Sequence, residues 1–230
     1  MIYKKDSTGY DLPVVSIEVA HPLEGAKNFR IPAYSVMPAG RVYRSDALHE
    51  LTEADIRYLD SLGIKTIIDL RNEEEVADEP DRNIPSVVNL LYFPVRRDKN
   101  KNEEIPDSLY SEFRQMFFDQ RYDEVARIMD SLGLDIPAGR IERYRSFALN
   151  HREAYSKFMK ALADSSIYPV VFHCQGGKDR AGFASAILGR TLGATHEEIM
   201  QDYLTTNLHN YEGLKQMQKV PPAIKSIIGA

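Results

Sequence analysis

The chain has 230 residues, of which 43% are hydrophobic and 27% charged, and its formal net charge is −5. That composition fits one soluble α/β domain carrying an insertion, residues 1–230 in all, and the acidic balance argues against general nucleic-acid binding. No run approaches the roughly 20 apolar residues of a membrane span, so no membrane span is expected and the default location is cytoplasmic, with export left open because a leader could have been trimmed.

The first 40 residues are rich in turn formers (Pro13, Pro22, Gly25, Pro32, Pro38, Gly40) and read as extended or looping. Thr52 and Asp55 form a capping-box pattern, Ile56, Leu59 and Leu62 share one helical face, and Gly63 supplies a stop. Ile64 to Leu70 and Val87 to Val95 read as strands. The alternation of helix and strand points to an α/β sheet, mainly parallel and flanked by helices.

Residues 96–150 break this rhythm. They are highly charged and carry Tyr110, Phe113, Phe117, Phe118 and Tyr122, which suggests two or three short helices forming a lid or a plain surface hairpin. Asn150 with Glu153 opens the next helix, to about Ala163, and Tyr168 to His173 is a short apolar strand. Thr195 with Glu198 caps a further helix, and the C-terminal stretch reads as helical with a break at Pro221 and Pro222.

The chemistry concentrates where the last strand meets a helix. Cys174 is followed by Gln175, Gly176, Gly177, Lys178 and Asp179, and then by Arg180. A six-residue advance from cysteine to arginine is enough to wrap one phosphate. Main-chain N–H groups turn inward as an anion nest, the glycines permit the necessary backbone, and the helix start adds its partial positive charge. Arg180 grips two phosphate oxygens with a planar fork. A thiol in such a setting is expected to ionise more readily than at its usual value of about 8.5, which makes Cys174 a nucleophile. The expected reaction is phosphomonoester hydrolysis through a phosphocysteine, with no metal and no cofactor, since the loop itself supplies the positive field. A Walker loop does not fit, because Gly177-Lys178 lacks the following Ser or Thr. Zinc binding does not fit either. Cys174 is the single cysteine, and no second ligand pair matches His173 and Cys174.

The segment HCQGGKDRAG resembles the HCxxGKDRTG loop of the bacterial atypical tyrosine-protein and lipid phosphatase family. Asn28-Phe29-Arg30, Arg41-Val42-Tyr43-Arg44-Ser45, Ile68-Asp69-Leu70-Arg71 with Glu74 and Glu75, and Asp202-Tyr203-Leu204 with Asn207 are similar to further elements of that family, in the same order. The resemblance implies the tyrosine phosphatase-like fold and a phosphorylated protein or a phosphoinositide as substrate. It leaves the general acid open: Asp179 within the loop, Asp98 beyond Phe93-Pro94, or Asp69, which more plausibly braces the fold. Arg44 and Arg71 either support the loop or pair with Glu74 or Glu75, and Lys178 either meets a phosphorylated head group or is solvated. Ala181 stands where the family usually has threonine, so Ser185 or a water would have to supply the missing hydroxyl. Two other functions compete: a phosphate-binding module with little turnover, and a sulfurtransferase, whose loops generally hold a shorter spacing and no GKDR.

Overall fold

A computed structural model describes residues 2–5, 11–14, 23–96 and 121–209, with positions 98, 109, 112, 115, 116 and 119 between them. The chain forms two compact units, one of Met1–Arg96 with Arg152–Asn210 and one of Arg97–His151 with Tyr211–Ala230.

In the first unit, β1 (Ile2–Lys5) and β2 (Asp11–Val14) pair antiparallel, where the turn-rich composition suggested only extended or looping chain. The central sheet holds β3 (Val42–Ser45), β4 (Thr66–Asp69), β5 (Asn89–Tyr92) and β6 (Val170–His173). Its order is β3-β6-β4-β5 and every neighbouring pair is parallel. This is the α/β architecture expected from the alternation of elements. Strand β6 sits between β3 and β4, so its side chains are buried on both faces. Val171 joins Phe29, Tyr43, Leu59 and Ile67 on one side. On the other, Phe172 meets Phe158 edge to face, with ring centroids 5.1 Å apart. Each such side chain contributes about 1.5–3 kcal/mol on burial, so the strand that leads into Cys174 is among the most firmly held parts of the sheet.

Helix α1 (Glu53–Ser61) starts on the expected capping box: Thr52 Oγ1 accepts from the Asp55 N–H, and Asp55 accepts from the Thr52 N–H. The same carboxylate accepts from the N–H groups of Glu24 and Gly25. A capping residue thus also anchors the chain 30 positions upstream. Helix α2 (Glu73–Asp78) begins on a second capping box, between Asn72 and Glu75. In the second unit, α3 (Tyr122–Ser131) and α4 (Ile136–Leu149) follow one another, and Val125 and Met129 pack with Met116. Phe113, Phe117, Phe118 and the C-terminal stretch with its proline pair lie outside the described residues.

Back in the first unit come α5 (Arg152–Leu162), a short 3-10 turn (Ser165–Ile167), α6 (Asp179–Leu192) and α7 (His196–His209). Asn150 caps the end of α4 rather than the start of α5, because its N–H donates to Ser146. Thr195 and Glu198 do form the box that opens α7. No helix among the described residues is long and apolar enough to cross a membrane.

Gly25 fits one narrow place. A Cβ there would lie 1.8 Å from the Glu50 carbonyl oxygen, and both partners are backbone. Gly25→Ala should therefore destabilise the protein by about 3 kcal/mol through forced backbone displacement, read as a lower urea midpoint at unchanged m value.

Candidate active site

The loop from Cys174 to Arg180 leaves the C-terminal end of β6 and enters α6 at Asp179, the end of an open α/β sheet at which ligands bind. Cys174 is 2% exposed and Arg180 6%. Three groups of side chains hold the loop, and each acts on a different part of it.

The first group fixes the arginine. Arg180 Nη1 and Nη2 donate to Glu75 Oε2 and Oε1 at 2.5 and 2.6 Å. Glu75 is fixed in turn, since Oε2 accepts the Asn72 N–H at 2.9 Å as part of the α2 cap. Burial alone would lower the Arg180 pKa, but the Glu75 carboxylate overcomes it and holds the guanidinium above its usual value. Glu75 takes one N–H from each terminal nitrogen, and Nη1 also lies 3.4 Å from the Val95 carbonyl oxygen, so three of the five N–H donors have partners here. The sequence offered Glu75 as a partner of Arg44 or Arg71, whereas the structure gives it to Arg180.

The second group turns loop carbonyls outward. The Gly177 oxygen accepts from Arg44 Nη2 at 2.7 Å and from Asn28 Nδ2 at 2.8 Å. The Gln175 oxygen accepts from the Ala47 N–H at 3.2 Å. In a trans peptide the carbonyl and the next N–H point in opposite directions. Outward carbonyls at 175 and 177 therefore aim the N–H groups of Gly176 and Lys178 away from the Asn28, Arg44 and Ala47 donors. Gly177 itself has φ 60°, and a Cβ there would lie 2.7 Å from the Asp46 nitrogen and the Ser45 oxygen. A side chain fits there neither in conformation nor in space.

Behind Gly177 the donors are themselves held by charge. Arg44, 0% exposed, lies 2.5 Å from Asp202 Oδ2, and Arg30 Nε lies 3.3 Å from Oδ1. Burial and the neighbouring Arg44 bring the Arg30 pKa down to about 10. For Asp202, burial raises the pKa, but Arg44 and Arg30 more than offset this and leave it below the usual carboxylate range. Ser185 Oγ donates to Asp202 Oδ2 and lies 2.8 Å from the Tyr34 hydroxyl. The Ser185 hydroxyl, which the sequence offered as a substitute for threonine at 181, thus has Asp202 and Tyr34 as its partners here.

The third group lies under His173. Its Nε2 is 2.9 Å from Asp81 Oδ2 and 3.9 Å from Asp69 Oδ1. Burial would lower its pKa, but Asp81 and Asp69 raise it above the usual histidine value. Asp69, Asp81 and His173 bring donor atoms within 4.8 Å of one another, as a metal site would. However, Arg71 Nη2 already lies 2.8 Å from Asp69 and 2.9 Å from Asp81. The cluster is thus a compensated ion network rather than an anionic cage. Asp69 braces Arg71, as expected, and is occupied by it.

Of the other acid candidates, Asp179 opens α6 inside the loop. Asp98 belongs to the second unit, where it accepts from Ser146 and Asn150 and lies 3.4 Å from His151. Those hydrogen bonds lower its pKa. Sequence reading missed Asp46, bracketed by Ser45, which pairs with His173, and Ala47, which bonds Gln175. Burial pushes its carboxyl up to about 7. Gln175 Nε2 donates to Glu79, which also lies 3.4 Å from His49.

Residues 21–226 match the model of the tyrosine phosphatase family. The chain is 31% identical over 192 residues to the triple specificity protein phosphatase PtpB of Mycobacterium tuberculosis, covering 80% of this chain and 68% of that protein. It is 26% identical to a putative tyrosine-protein phosphatase of Cupriavidus necator over 74% of this chain, but over only 55% of that protein. Among solved structures, the core catalytic domain of the PP-IP phosphatase SIW14 from S. cerevisiae aligns with 92% of this chain and 94% of its own, at 15% identity and a TM-score of 0.44.

Asp202→Asn should destabilise the protein by about 3–5 kcal/mol, because it leaves two buried guanidiniums without their countercharge. The pH dependence follows from the lowered carboxylate. Its contribution is complete above the unfolded aspartate value of about 3.9 and is lost as pH falls through the folded value. Urea titrations between pH 3 and 7 should show that acid loss in the natural protein and a shallower one in Asp202→Asn.

Proposed function

Because the chain belongs to the tyrosine phosphatase family, we propose that it hydrolyses phosphomonoesters with Cys174 as nucleophile, Arg180 as phosphate clamp and Asp179 as proton donor. The observation that carries this reading is the bidentate Glu75–Arg180 pair. It holds the guanidinium at the mouth of a helix, six residues beyond a buried cysteine, beside a loop with outward-tied carbonyls.

The thiolate sulfur forms a bond to phosphorus while the bond from phosphorus to the ester oxygen breaks. The departing oxygen takes a proton from the carboxyl of Asp179. Water then attacks the phosphocysteine, its proton returns to the carboxylate, and the sulfur–phosphorus bond breaks. Arg180 and the N–H groups of Gln175, Gly176, Gly177, Lys178 and Asp179 stabilise the charge on the equatorial oxygens. The substrate class is a phosphotyrosine protein, with phosphoinositides as the second candidate and Lys178 placed in the loop to meet additional phosphate. Asp98 is the alternative proton donor. Asp46 is a third, because burial pushes its carboxyl up to about 7.

Cys174→Ser should abolish hydrolysis of 4-nitrophenyl phosphate while preserving vanadate binding. Arg180→Lys should lower kcat by at least about 100-fold, since the charge stays but the fork is lost. Phosphate binding by the natural protein without turnover would instead favour the non-catalytic reading.

Glu75→Gln retains the cap but weakens the hold on Arg180, and should lower kcat about tenfold with little change in melting temperature. Among Asp179→Asn, Asp98→Asn and Asp46→Asn, the variant that loses activity on phenyl phosphate but not on esters with good leaving groups identifies the proton donor. The expected one is Asp179→Asn.

A further inference from the structure

Asn28 is 1% exposed and has φ 64°, the one non-glycine residue with positive φ among those described. That conformation disfavours most side chains, although asparagine tolerates it better than others. Both ends of its amide are committed. Nδ2 donates to the Gly177 carbonyl at 2.8 Å and lies 3.4 Å from Thr206 Oγ1, while Oδ1 accepts from Arg30 Nη1. The backbone of Asn28 accepts from the same nitrogen, Nη1 to the carbonyl at 3.1 Å. One uncommon backbone conformation therefore places a single amide between the Arg30–Asp202 network and the outer edge of the loop.

The Gly177–Lys178 peptide is trans, so the orientation of its carbonyl fixes the orientation of the Lys178 N–H. Arg44 supplies one donor to that carbonyl, and Asn28 supplies the second at a position no other described residue fills. A carbonyl oxygen has two lone pairs, and two donors from different directions restrict rotation of the peptide plane more than one does. We propose that Asn28 is a positioning residue of the phosphate loop, holding the Gly177 carbonyl outward so that the Lys178 N–H faces the bound oxyanion. The proposal rests on the reading of this loop as the phosphate site.

Two substitutions separate positioning from mere support of the fold. Glycine accepts φ 64° without strain, so Asn28→Gly keeps the backbone and removes the donor. Asn28→Asp keeps shape and tolerates the same φ, but turns an acceptor toward the Gly177 carbonyl. Inorganic phosphate binding is measured by isothermal titration calorimetry on protein shown to be folded by circular dichroism. Asn28→Gly should weaken the phosphate Kd about five- to tenfold, the loss of one neutral hydrogen bond. Asn28→Asp should weaken it further, and KM for 4-nitrophenyl phosphate should rise in the same order. A purely structural role would lower the melting temperature without weakening phosphate binding by the folded protein. Phosphate affinity equal to the natural protein's in folded Asn28→Gly overturns the proposal, and that variant decides alone if Asn28→Asp does not fold. Absence of phosphate binding by the natural protein overturns the phosphatase reading and this proposal together.

Discussion

One carboxylate faces two guanidiniums sealed from water, and the loop depends on that arrangement. Asp202 sits between Arg30 and Arg44, and Arg44 reaches from there to the Gly177 carbonyl. A buried ion pair adds little to stability when compared with a well-packed apolar substitute, because desolvation consumes most of the Coulomb gain. What it does provide is direction. A hydrophobic contact would hold Gly177 in place without deciding which way its peptide points. A charged donor 2.7 Å from the oxygen decides that.

The same logic recurs around the loop. Arg180 is turned by Glu75, and His173 by Asp81, which also bonds the Leu48 N–H. The carboxylates around the loop are each matched by a cation: Glu75 by Arg180, Asp81 by His173 and Arg71, and Asp202 by Arg30 and Arg44. Acidic residues as close as Glu75, Asp81 and Asp202 therefore leave little uncompensated negative charge beside the loop.

Much of this was legible in the sequence where local rules decide it. The capping boxes at Thr52 and Thr195 and the strand-loop-helix passage through Cys174 depend on neighbours within a few positions. The Asn28-Phe29-Arg30, Arg44 and Asp202-Tyr203-Leu204 segments could be recognised as belonging together, but not as one buried network. Their contacts span 158 and 172 positions, and no periodicity encodes such pairings. Glu75 illustrates the limit well. Its place after Asp69-Leu70-Arg71 offered it as an ion-pair partner of an arginine, yet which arginine it serves depends on how α2 lies against the loop. Asp46 and Asp81 carried no local signal, since an aspartate after a strand or before a turn is usually a cap or a solvated charge.

Helix α6 shows how tightly the two ends of this design are coupled. Its first turn carries Arg180 and the fully buried Ala181, and one turn later Ser185 bonds Asp202 and meets Tyr34. The helix therefore faces the loop with its N-terminus and the buried charge network with its next turn. The hydroxyl at 185 is directed to the carboxylate that supports Arg44. Positions 181 and 185 are about one turn apart on the same face of the helix. With alanine at 181, Ser185 supplies the hydroxyl on this face, and it is spent on the carboxylate that holds the loop's outer edge through Arg44.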